Sequence, residues 1–284
     1  MGVINVTQIG GAFYGGVMRR PPAVLTVAGS DPSGGAGLQA DLKTIGALGG
    51  YGMAVVTALT AQNTHGVDAV HAVPADFVAA QCDSLIADVR IDAVKTGMLA
   101  SAAVADVVCE FVRSGLAGGV PVVVDPVMVS TSGHRLVARD ALDAMRRLVG
   151  CASIVTPNLA EAAALLGEAE AGDERAMVTQ GRRLLDLGVG AVLMKGGHLA
   201  GDPVDVLISA DTVERFAQQR VMTRNTHGTG CALSAALATM RPQLGSWSQA
   251  VAATKTWLTE ALRQADRLEI GAGAGPVHHL HRWW

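Results

Sequence analysis

Short runs of β-branched residues alternate with longer segments rich in alanine and leucine, and this alternation restricts the fold more than any other feature of the chain. Strands are predicted near residues 24–28, 53–59, 92–96, 121–125, 153–156 and 191–195. Helices are predicted near residues 36–48, 75–88, 101–114, 140–149, 159–166 and 174–187. Strands joined by right-handed helical crossovers form a parallel sheet with helices on both faces, so the sequence predicts an α/β fold.

The two ends of the chain depart from this alternation. Residues 204–209 and 213–216 are joined by a short polar turn and predict a β-hairpin, and helices near 229–240 and 247–267 close the domain. Residues 1–22 are rich in glycine and end in two arginines and two prolines, so we expect a loosely ordered extension there. Residues 23–284 are expected to form a single domain.

Charge and composition exclude several classes of function. The net charge of -3 leaves no excess of lysine and arginine for binding nucleic acid. No apolar run approaches the roughly 18 residues of a membrane-spanning helix. The cysteines Cys82, Cys109, Cys151 and Cys231 are far apart in sequence, which favours reduced thiols over disulfides or a zinc site. We therefore expect a soluble, cytoplasmic protein that binds neither nucleic acid nor membrane.

Polar residues follow several predicted strands, at the edge where parallel sheets bind ligands. Asn158 and Glu161 start a helix three residues apart, so they share a face and can hold magnesium through its waters, although the pair also fits a helix cap. Lys195 can neutralise a phosphate during transfer, although a lysine after a strand is also common at the surface. Asp125 leaves a buried valine strand, and a carboxylate there needs a partner.

A glycine-rich segment, Asn225-Thr226-His227-Gly228-Thr229-Gly230-Cys231, precedes an apolar run of helical composition. Its N–H groups can converge at the helix N-terminus, where a phosphate is stabilised. Cys231 falls in the first helical turn, where the helix dipole and nearby donors are expected to favour its thiolate. A base beside an anion site points to phosphoryl transfer. A glycine-rich loop before an ordinary helix with a buried cysteine is the simpler alternative.

Six motifs occur in an order and spacing that resemble one known family, the hydroxymethylpyrimidine/phosphomethylpyrimidine kinases of thiamine biosynthesis. The motifs are Ala28-Gly29-Ser30-Asp31-Pro32-Ser33-Gly34-Gly35-Ala36-Gly37, Ala61-Gln62-Asn63-Thr64, Lys95-Thr96-Gly97-Met98-Leu99, Thr156-Pro157-Asn158-Leu159-Ala160-Glu161-Ala162, Lys195-Gly196-Gly197-His198 and His227-Gly228-Thr229-Gly230-Cys231. The resemblance runs from about Ala23 to the segment Gly275-Pro276-Val277-His278-His279, which is nearly the whole chain.

The resemblance implies a ribokinase-like fold, ATP and Mg²⁺ as cofactors, and a homodimer. It also implies phosphorylation of a pyrimidine alcohol, 4-amino-5-hydroxymethyl-2-methylpyrimidine, and then of its monophosphate. Most ribokinase-like enzymes have an aspartate base where this chain has Cys231, whereas the pyrimidine kinases have cysteine, so this residue favours the pyrimidine kinases over sugar kinases. Because phosphoryl transfer has a loose transition state, positioning and charge neutralisation matter more than a strong base.

By the same resemblance, individual residues are assigned roles. Gln62 is expected to read the aminopyrimidine, since its amide can accept from the exocyclic amine and donate to the adjacent ring nitrogen. The predicted catalytic residues are Cys231, Gly228, Thr229, Gly230 and Lys195. The residues predicted to bind the substrate are Gln62, Met98, Val127, Asp41 and Gly37. Those predicted to bind the nucleotide are Asn158, Lys195, Gly197 and Thr226, and those predicted to bind the metal are Glu161 and Asp125. His278, His279 and His281 are interpreted as structural or surface residues, with no zinc.

Two alternatives remain open. A pyridoxal kinase shares the fold, the glycine loops and a hydroxymethyl acceptor, although Cys231 and Gln62 favour the pyrimidine. A catalytically silent ribokinase-like domain that binds a pyrimidine or a nucleotide is the other alternative, and the presence of Asn158, Glu161 and Lys195 argues against it. An assay of ATP consumption with the aminopyrimidine alcohol separates all three hypotheses.

Overall fold

The computed structural model describes residues 20–116, 118–128, 141–197, 199 and 201–284. The strands in these ranges form one nine-stranded sheet of order β3-β2-β1-β4-β5-β6-β7-β8-β9. Their bounds are β1 Ala23–Ser30, β2 Tyr51–Gln62, β3 Val67–Ala72, β4 Ala93–Thr96, β5 Val122–Val124, β6 Ile154–Val155, β7 Val192–Lys195, β8 Val204–Ile208 and β9 Val213–Ala217. The six strands from β2 across to β7 are parallel, and β3, β8 and β9 pair antiparallel with their neighbours.

Helices cover both faces of this sheet, which confirms the predicted α/β class. Their bounds are α1 Gly37–Ala47, α2 Ala75–Ile86, α3 Ala102–Glu110, α4 Ala141–Val149, α5 Leu159–Leu166, α6 Glu174–Leu185, α7 Thr229–Leu244 and α8 Trp247–Arg263. A π-helical turn, Phe111–Gly115, follows α3, and a 3-10 turn, Ala265–Leu268, follows α8. The predicted helices near 101–114 and 247–267 therefore each consist of an α-helix and a differently wound end.

Two hydrophobic cores lie on opposite faces of the sheet. Because successive side chains of a strand point to opposite faces, Val122 and Val124 of β5 enter one core and Val123 enters the other. Helices α2 to α6 pack on the first core, and α1, α7 and α8 pack on the second. This arrangement explains why the central strands read as continuous apolar runs in the sequence.

The structure contains one strand that the sequence analysis missed. This strand, β3, pairs antiparallel with β2. Only Val67 of its 6 residues is buried, so the segment lacks the apolar alternation that identifies a half-buried strand. The predicted hairpin is confirmed as β8 and β9, and it extends the main sheet beyond β7.

The predicted N-terminal extension falls mostly on residues 1–19, which lie outside the described ranges. The Pro22 carbonyl accepts the N–H of Tyr51 at 2.9 Å, and the Pro21 carbonyl accepts from the Arg90 guanidinium at 3.0 Å. These prolines are thus bonded to the domain, and a boundary at residue 23 stays a prediction. Among the described helices, none has both the length and the apolar composition needed to cross a membrane.

Two of the cysteines that are far apart in sequence meet in the fold. Cys109 near the end of α3 and Cys151 after α4 have their sulfur atoms 3.4 Å apart. Both are free thiols, as are Cys82 on α2 and Cys231 on α7. Their separation in sequence did not predict this contact, because it depends on how α3 packs against α4.

Candidate active site

A cavity of about 590 Å³ lies at the carboxyl ends of the parallel strands, where the sequence analysis expected a ligand. It is lined by strand ends, by the loops that follow them and by the start of α7. All the predicted site residues line it except Asp41; they are Gly37, Gln62, Met98, Asp125, Val127, Asn158, Glu161, Lys195, Gly197, Thr226, Gly228, Thr229, Gly230 and Cys231. The roles of these residues stay predictions, but the fold brings them to one place.

Asp41 does not reach this cavity. It is fully buried on α1, where its Oδ2 accepts from Thr26 Oγ1 at 2.6 Å and forms an ion pair with Lys95 Nζ at 2.7 Å. Burial opposes the charge on Lys95, but Asp41 and other nearby acidic groups outweigh it and raise the pKa of Lys95. Its carboxylate is paired inside the protein, which argues against a direct contact with substrate, and the role that the resemblance implied for Asp41 stays a prediction.

Helix α7 packs against β4 and β5, in the middle of the sheet, and Gly230 in its first turn lies beside Asp125 and Lys195. Gly228 caps the helix in a left-handed conformation with φ 75°. The N–H of Ala232 makes the first intrahelical bond, to the Gly228 carbonyl at 2.8 Å. The N–H groups of Gly230 and Cys231 precede that bond, so this turn can bind an anion.

Two close backbone contacts beside the cavity require glycine, one between the first glycine-rich loop and the α7 turn and one within that loop. A Cβ at Gly228 would collide with the carbonyl oxygen of Gly35 in the first loop. Gly37 has φ +56°, and a Cβ there would collide with the carbonyl oxygen of Gly29. Both positions therefore require glycine, for conformational and for steric reasons. The result is that two backbones line the cavity side by side.

Cys231 lies in the first turn of α7 as predicted, but the prediction of a favoured thiolate is wrong. Burial raises the pKa of the Cys231 thiol to about 11, although the charge on Lys95 and the N–H of Gly37 act to lower it. Desolvation of the charged form therefore outweighs the helix terminus and the nearby donors. The thiol is neutral at pH 7.

Lys195 ends β7 beside two carboxylates. Its Nζ lies 3.1 Å from Asp125 Oδ1 and 3.6 Å from Glu161 Oε2. Burial opposes the charge on Lys195, but these acidic neighbours outweigh it and raise the pKa of Lys195. Only 16% of the side chain is exposed, so the alternative of a solvated surface lysine is wrong. Asp125 has the expected partners, since it also accepts from Thr156 Oγ1 at 3.0 Å.

Asn158 and Glu161 form a helix cap at the start of α5. The Asn158 Oδ1 accepts the N–H of Glu161, and the Glu161 Oε2 accepts the N–H of Asn158, both at 2.8 Å. This capping box satisfies two N–H groups that a helix end leaves unpaired. The helix-cap interpretation of the pair is therefore confirmed, and the expectation that both side chains also hold magnesium stays a prediction.

Asp125 and Glu161 nevertheless fit a magnesium ion. Both residues line the cavity, and their carboxylate oxygens lie 3.1 Å and 3.6 Å from Lys195 Nζ. In phosphoryl-transfer sites magnesium is usually held by one or two carboxylates, with phosphate oxygens and water completing its octahedron. Within the described ranges, no cluster of three or more His, Cys, Asp or Glu is suited to a metal. A magnesium ion here would therefore depend on the phosphates of a nucleotide.

The end of the cavity near β1 and β2 contains contacts that the sequence analysis did not predict. Gln62 Oε1 lies 3.2 Å from Thr60 Oγ1, and Gln62 Nε2 lies 3.3 Å from His227 Nε2. The same His227 nitrogen lies 2.8 Å from Asp31 Oδ2. Asp31 and His227 fall within glycine-rich motifs, which was the available signal, but their contact spans 196 positions of the chain and no local pattern predicts it.

The other end of the cavity, near β7, β8 and α8, also has lining residues that had no predicted role. They are Pro203, Asp205, Gln218, Arg220, Val221, Lys255, Leu258 and Leu262. Asp205 Oδ2 pairs with Lys255 Nζ at 2.5 Å, and Asp205 Oδ1 accepts the N–H of Gly196 at 3.1 Å. This pair holds the loop after Lys195. Neither Asp205 nor Lys255 belongs to a recognised motif, so the sequence analysis assigned them no role.

The C-terminal histidines lie away from the cavity lining. His278 and His279 are buried, and His281 packs with its ring centroid 6.1 Å from that of Trp257. Burial lowers the pKa of His279 to about 3, so its imidazole is neutral. The burial of two of these residues fits the interpretation that they are structural.

Most of the chain matches one family model. The model, described as phosphomethylpyrimidine kinase, matches residues 31–278. The chain is also 53% identical over 262 residues to a protein of Escherichia coli (strain K12) named hydroxymethylpyrimidine/phosphomethylpyrimidine kinase. That alignment covers 92% of this chain and 98% of the E. coli protein.

Solved structures have the same architecture. The phosphomethylpyrimidine kinase of Clostridium difficile 630 aligns with a TM-score of 0.75 and 37% identity, over 85% of this chain and 99% of that one. The ADP complex of Bacillus subtilis pyridoxal kinase aligns with a TM-score of 0.83 and 31% identity, over 92% of this chain and 98% of that one. The predicted ribokinase-like fold is confirmed by these similarities.

Proposed function

Because the chain belongs to the family of phosphomethylpyrimidine kinases, we propose that it uses ATP to phosphorylate 4-amino-5-hydroxymethyl-2-methylpyrimidine and then its monophosphate, in thiamine biosynthesis. One observation carries the proposal beyond family membership. The anion-binding turn at Gly228–Cys231, the cation of Lys195 and the amide of Gln62 line a single cavity. An anion site, a cation and an amide that can pair with the ring are each suited to transfer of a phosphoryl group to an aminopyrimidine alcohol.

The order of strands supports a separate place for each substrate. Gln62 ends β2 and Met98 follows β4, so the pyrimidine would lie at this side of the sheet. Lys195 ends β7, and the wall formed with β8 and α8 would hold the nucleotide. Helix α7 packs against β4 and β5, between these two sides, and its first turn lines the cavity, where the transferred group would pass.

The proposed transfer joins the hydroxyl oxygen to the terminal phosphorus of ATP while the bond from that phosphorus to ADP breaks. The N–H groups of Gly230 and Cys231 bind oxygens of the transferred group, and Lys195 neutralises its charge. Glu161 and Asp125 would hold magnesium, which would supply further charge neutralisation. All these residues line the cavity.

Cys231 is the proposed acceptor of the hydroxyl proton. With a thiol pKa of about 11, about one thiol in 10⁴ is ionised at pH 7. A small thiolate fraction is compatible with catalysis, because the hydroxyl proton leaves late in a loose transition state. The raised pKa thus makes the Cys231 thiolate rare at neutral pH, but a stronger base for the hydroxyl proton when it forms.

The proposal includes a cytoplasmic homodimer. Four free thiols fit a reducing compartment. The edge formed by β2, β3 and α2 carries exposed apolar side chains, with Leu59 51%, Val70 45% and Phe77 61% exposed. Exposed apolar groups at a sheet edge favour association. Sedimentation velocity should show a species of twice the chain mass, and a monomer at micromolar concentration would contradict the dimer.

Pyridoxal is the second candidate substrate, because the structure is also similar to a pyridoxal kinase. A coupled assay of ADP release measures kcat/KM for the aminopyrimidine alcohol and for pyridoxal with the same protein. We expect the larger kcat/KM for the aminopyrimidine. A larger value for pyridoxal would reverse the assignment, and no ADP release with either alcohol would support the catalytically silent domain.

A further inference from the structure

Three side chains meet where the first glycine-rich loop approaches the α7 turn. His227 Nε2 lies 2.8 Å from Asp31 Oδ2 and 3.3 Å from the amide nitrogen of Gln62. Asp31 and His227 are 2% and 8% exposed, so water does not satisfy their polar atoms easily. The protons in this cluster can therefore be assigned from the hydrogen bonds that each atom is able to make.

Asp31 is an acceptor in this cluster. Its Oδ1 accepts from the N–H and the hydroxyl of Ser33, and its Oδ2 accepts from the N–H of Ala36. Burial acts to raise the pKa of Asp31, but the hydrogen bonds from His227, Ser33 and Ala36 outweigh it and lower the pKa. An ionised carboxylate has no proton to donate. The proton between Asp31 and His227 must therefore lie on His227 Nε2.

This proton determines what Gln62 can do. A ring nitrogen that donates to Asp31 has no free lone pair, so it cannot accept from the Gln62 NH₂ group. The same holds for the neutral Nε2–H tautomer and for the imidazolium. The alternative tautomer, protonated at Nδ1, would point a lone pair at an ionised oxygen of Asp31. The Gln62 NH₂ group would therefore face another donor at His227, so the carbonyl oxygen of Gln62 must lie on this side, where it can share the Nε2 proton with Asp31.

Thr60 leads to the same orientation of the amide. Its hydroxyl lies 2.9 Å from the Ser30 carbonyl, which can only accept, so the single hydroxyl proton goes to Ser30. The Thr60 oxygen, 3.2 Å from the Gln62 amide, is then an acceptor and requires the NH₂ group. One amide orientation satisfies both neighbours, with Oε1 toward His227 and Nε2 toward Thr60. One N–H and one lone pair of the amide remain for a ligand.

We propose that His227 is a positioning residue that, together with Thr60, fixes the orientation of the Gln62 amide and thereby selects an aminopyrimidine over an oxopyrimidine. This inference rests on the proposed function of the site. The amino compound presents a donor beside a ring acceptor, whereas its 4-oxo counterpart presents an acceptor beside a ring donor. An amide that rotates freely serves either pattern, but a fixed amide serves only one.

The kinetic test compares the aminopyrimidine alcohol with 5-hydroxymethyl-2-methylpyrimidin-4-one. In His227→Leu, we expect the ratio of kcat/KM for the amino and oxo compounds to fall about 10-fold or more, with KM for ATP unchanged. His227→Gln keeps an N–H donor for Asp31 and should restore part of the ratio. His71→Leu, which changes an exposed histidine of β3, is the control and should keep the wild-type ratio. An equal loss for both substrates in His227→Leu would overturn the proposal.

A second measurement does not depend on activity. Side-chain ¹⁵N NMR of the wild-type protein, with His227→Gln used to assign the resonance, reports which ring nitrogen of His227 carries the proton. We expect protonation at Nε2, and a neutral ring protonated only at Nδ1 would overturn the inference even in an inactive preparation. Failure of the proposed function would give a different result: the wild-type protein would carry the Nε2 proton but would phosphorylate neither pyrimidine.

Discussion

Gln62 is the residue whose substitution most directly tests how the substrate is recognised. Gln62→Leu keeps the approximate size of the side chain but removes both hydrogen-bonding groups. We expect kcat/KM for the aminopyrimidine alcohol to fall by a factor equivalent to about 1–3 kcal/mol, because the polar edge of the ring is left unpaired. KM for ATP should be unchanged. Steady-state kinetics measures kcat/KM for the alcohol and KM for ATP, and Asn63→Leu, which changes an exposed neighbour, is the control. An unaltered kcat/KM in Gln62→Leu would remove Gln62 from the substrate site.

Cys231 allows a test of the proposed base. Cys231→Ala should lower kcat about 10²- to 10⁴-fold, the range for losing a general base. Because burial raises the thiol pKa to about 11, the thiolate fraction of wild type grows as pH rises from 7 to 9, and kcat should rise with it. The variant should lose this rise. Cys151→Ala, outside the cavity lining, is the control. Parallel pH profiles for wild type and Cys231→Ala would exclude the thiol as the base.

Single residues show where sequence reasoning succeeds and where it stops. Motif position was enough to bring Gln62 and Lys195 to the cavity, because both end strands of a parallel sheet. The ionisation of Cys231 was mispredicted, since desolvation depends on the chain packed around it rather than on its place in a helix. The bond between Asp31 and His227 was not predictable because it joins two distant loops.

At the scale of elements, the start of α5 combines a structural and a proposed metal role in Glu161. Glu161→Gln preserves the capping box, since glutamine can accept the same N–H, but it removes the charge. We expect a higher magnesium requirement with little change in melting temperature. Glu161→Ala removes both functions and should also lower the unfolding free energy by about 1 kcal/mol.

Magnesium titrations and thermal melts of wild type, Glu161→Gln and Glu161→Ala separate the two roles. The same half-saturating magnesium concentration in wild type and Glu161→Gln would remove Glu161 from the metal site. The sequence placed this helix start correctly, but it left the cap and the metal site as alternatives. The structure shows that the cap is formed, because Asn158 and Glu161 make two reciprocal hydrogen bonds of 2.8 Å.

For the whole molecule, the order of elements was the most predictable property. The alternation of apolar strands with helices determines a parallel sheet covered on both faces, and the two cores confirm it. The edge strand β3 was missed because only Val67 of this strand is buried. Edges are therefore harder to predict than the centre, since burial provides the pattern from which a strand is recognised.

The buried His279 makes global stability depend on pH. Its pKa is lowered from 6.5 to about 3, so the unfolded chain binds a proton more readily than the folded protein between these values. The resulting stability is present above pH 6.5 and is lost as pH falls toward 3. From pH 7 to pH 5 the loss is about 2 kcal/mol. Urea unfolding should show this dependence reduced in His279→Gln but not in the exposed control His71→Gln. An unchanged dependence in His279→Gln would contradict the account.

Product analysis over time tests most directly the central claim that one cavity phosphorylates the aminopyrimidine alcohol twice. The protein is incubated with ATP, Mg²⁺ and the alcohol, and mass spectrometry follows all phosphorylated pyrimidines. We predict that the monophosphate forms first, that the diphosphate follows, and that two ADP are released for each diphosphate. Cys231→Ala should slow the first step, because the thiolate accepts the hydroxyl proton there, whereas the phosphate oxygen that attacks in the second step needs no base. A reaction that leaves the pyrimidine unphosphorylated, while the same preparation phosphorylates pyridoxal, would contradict the account.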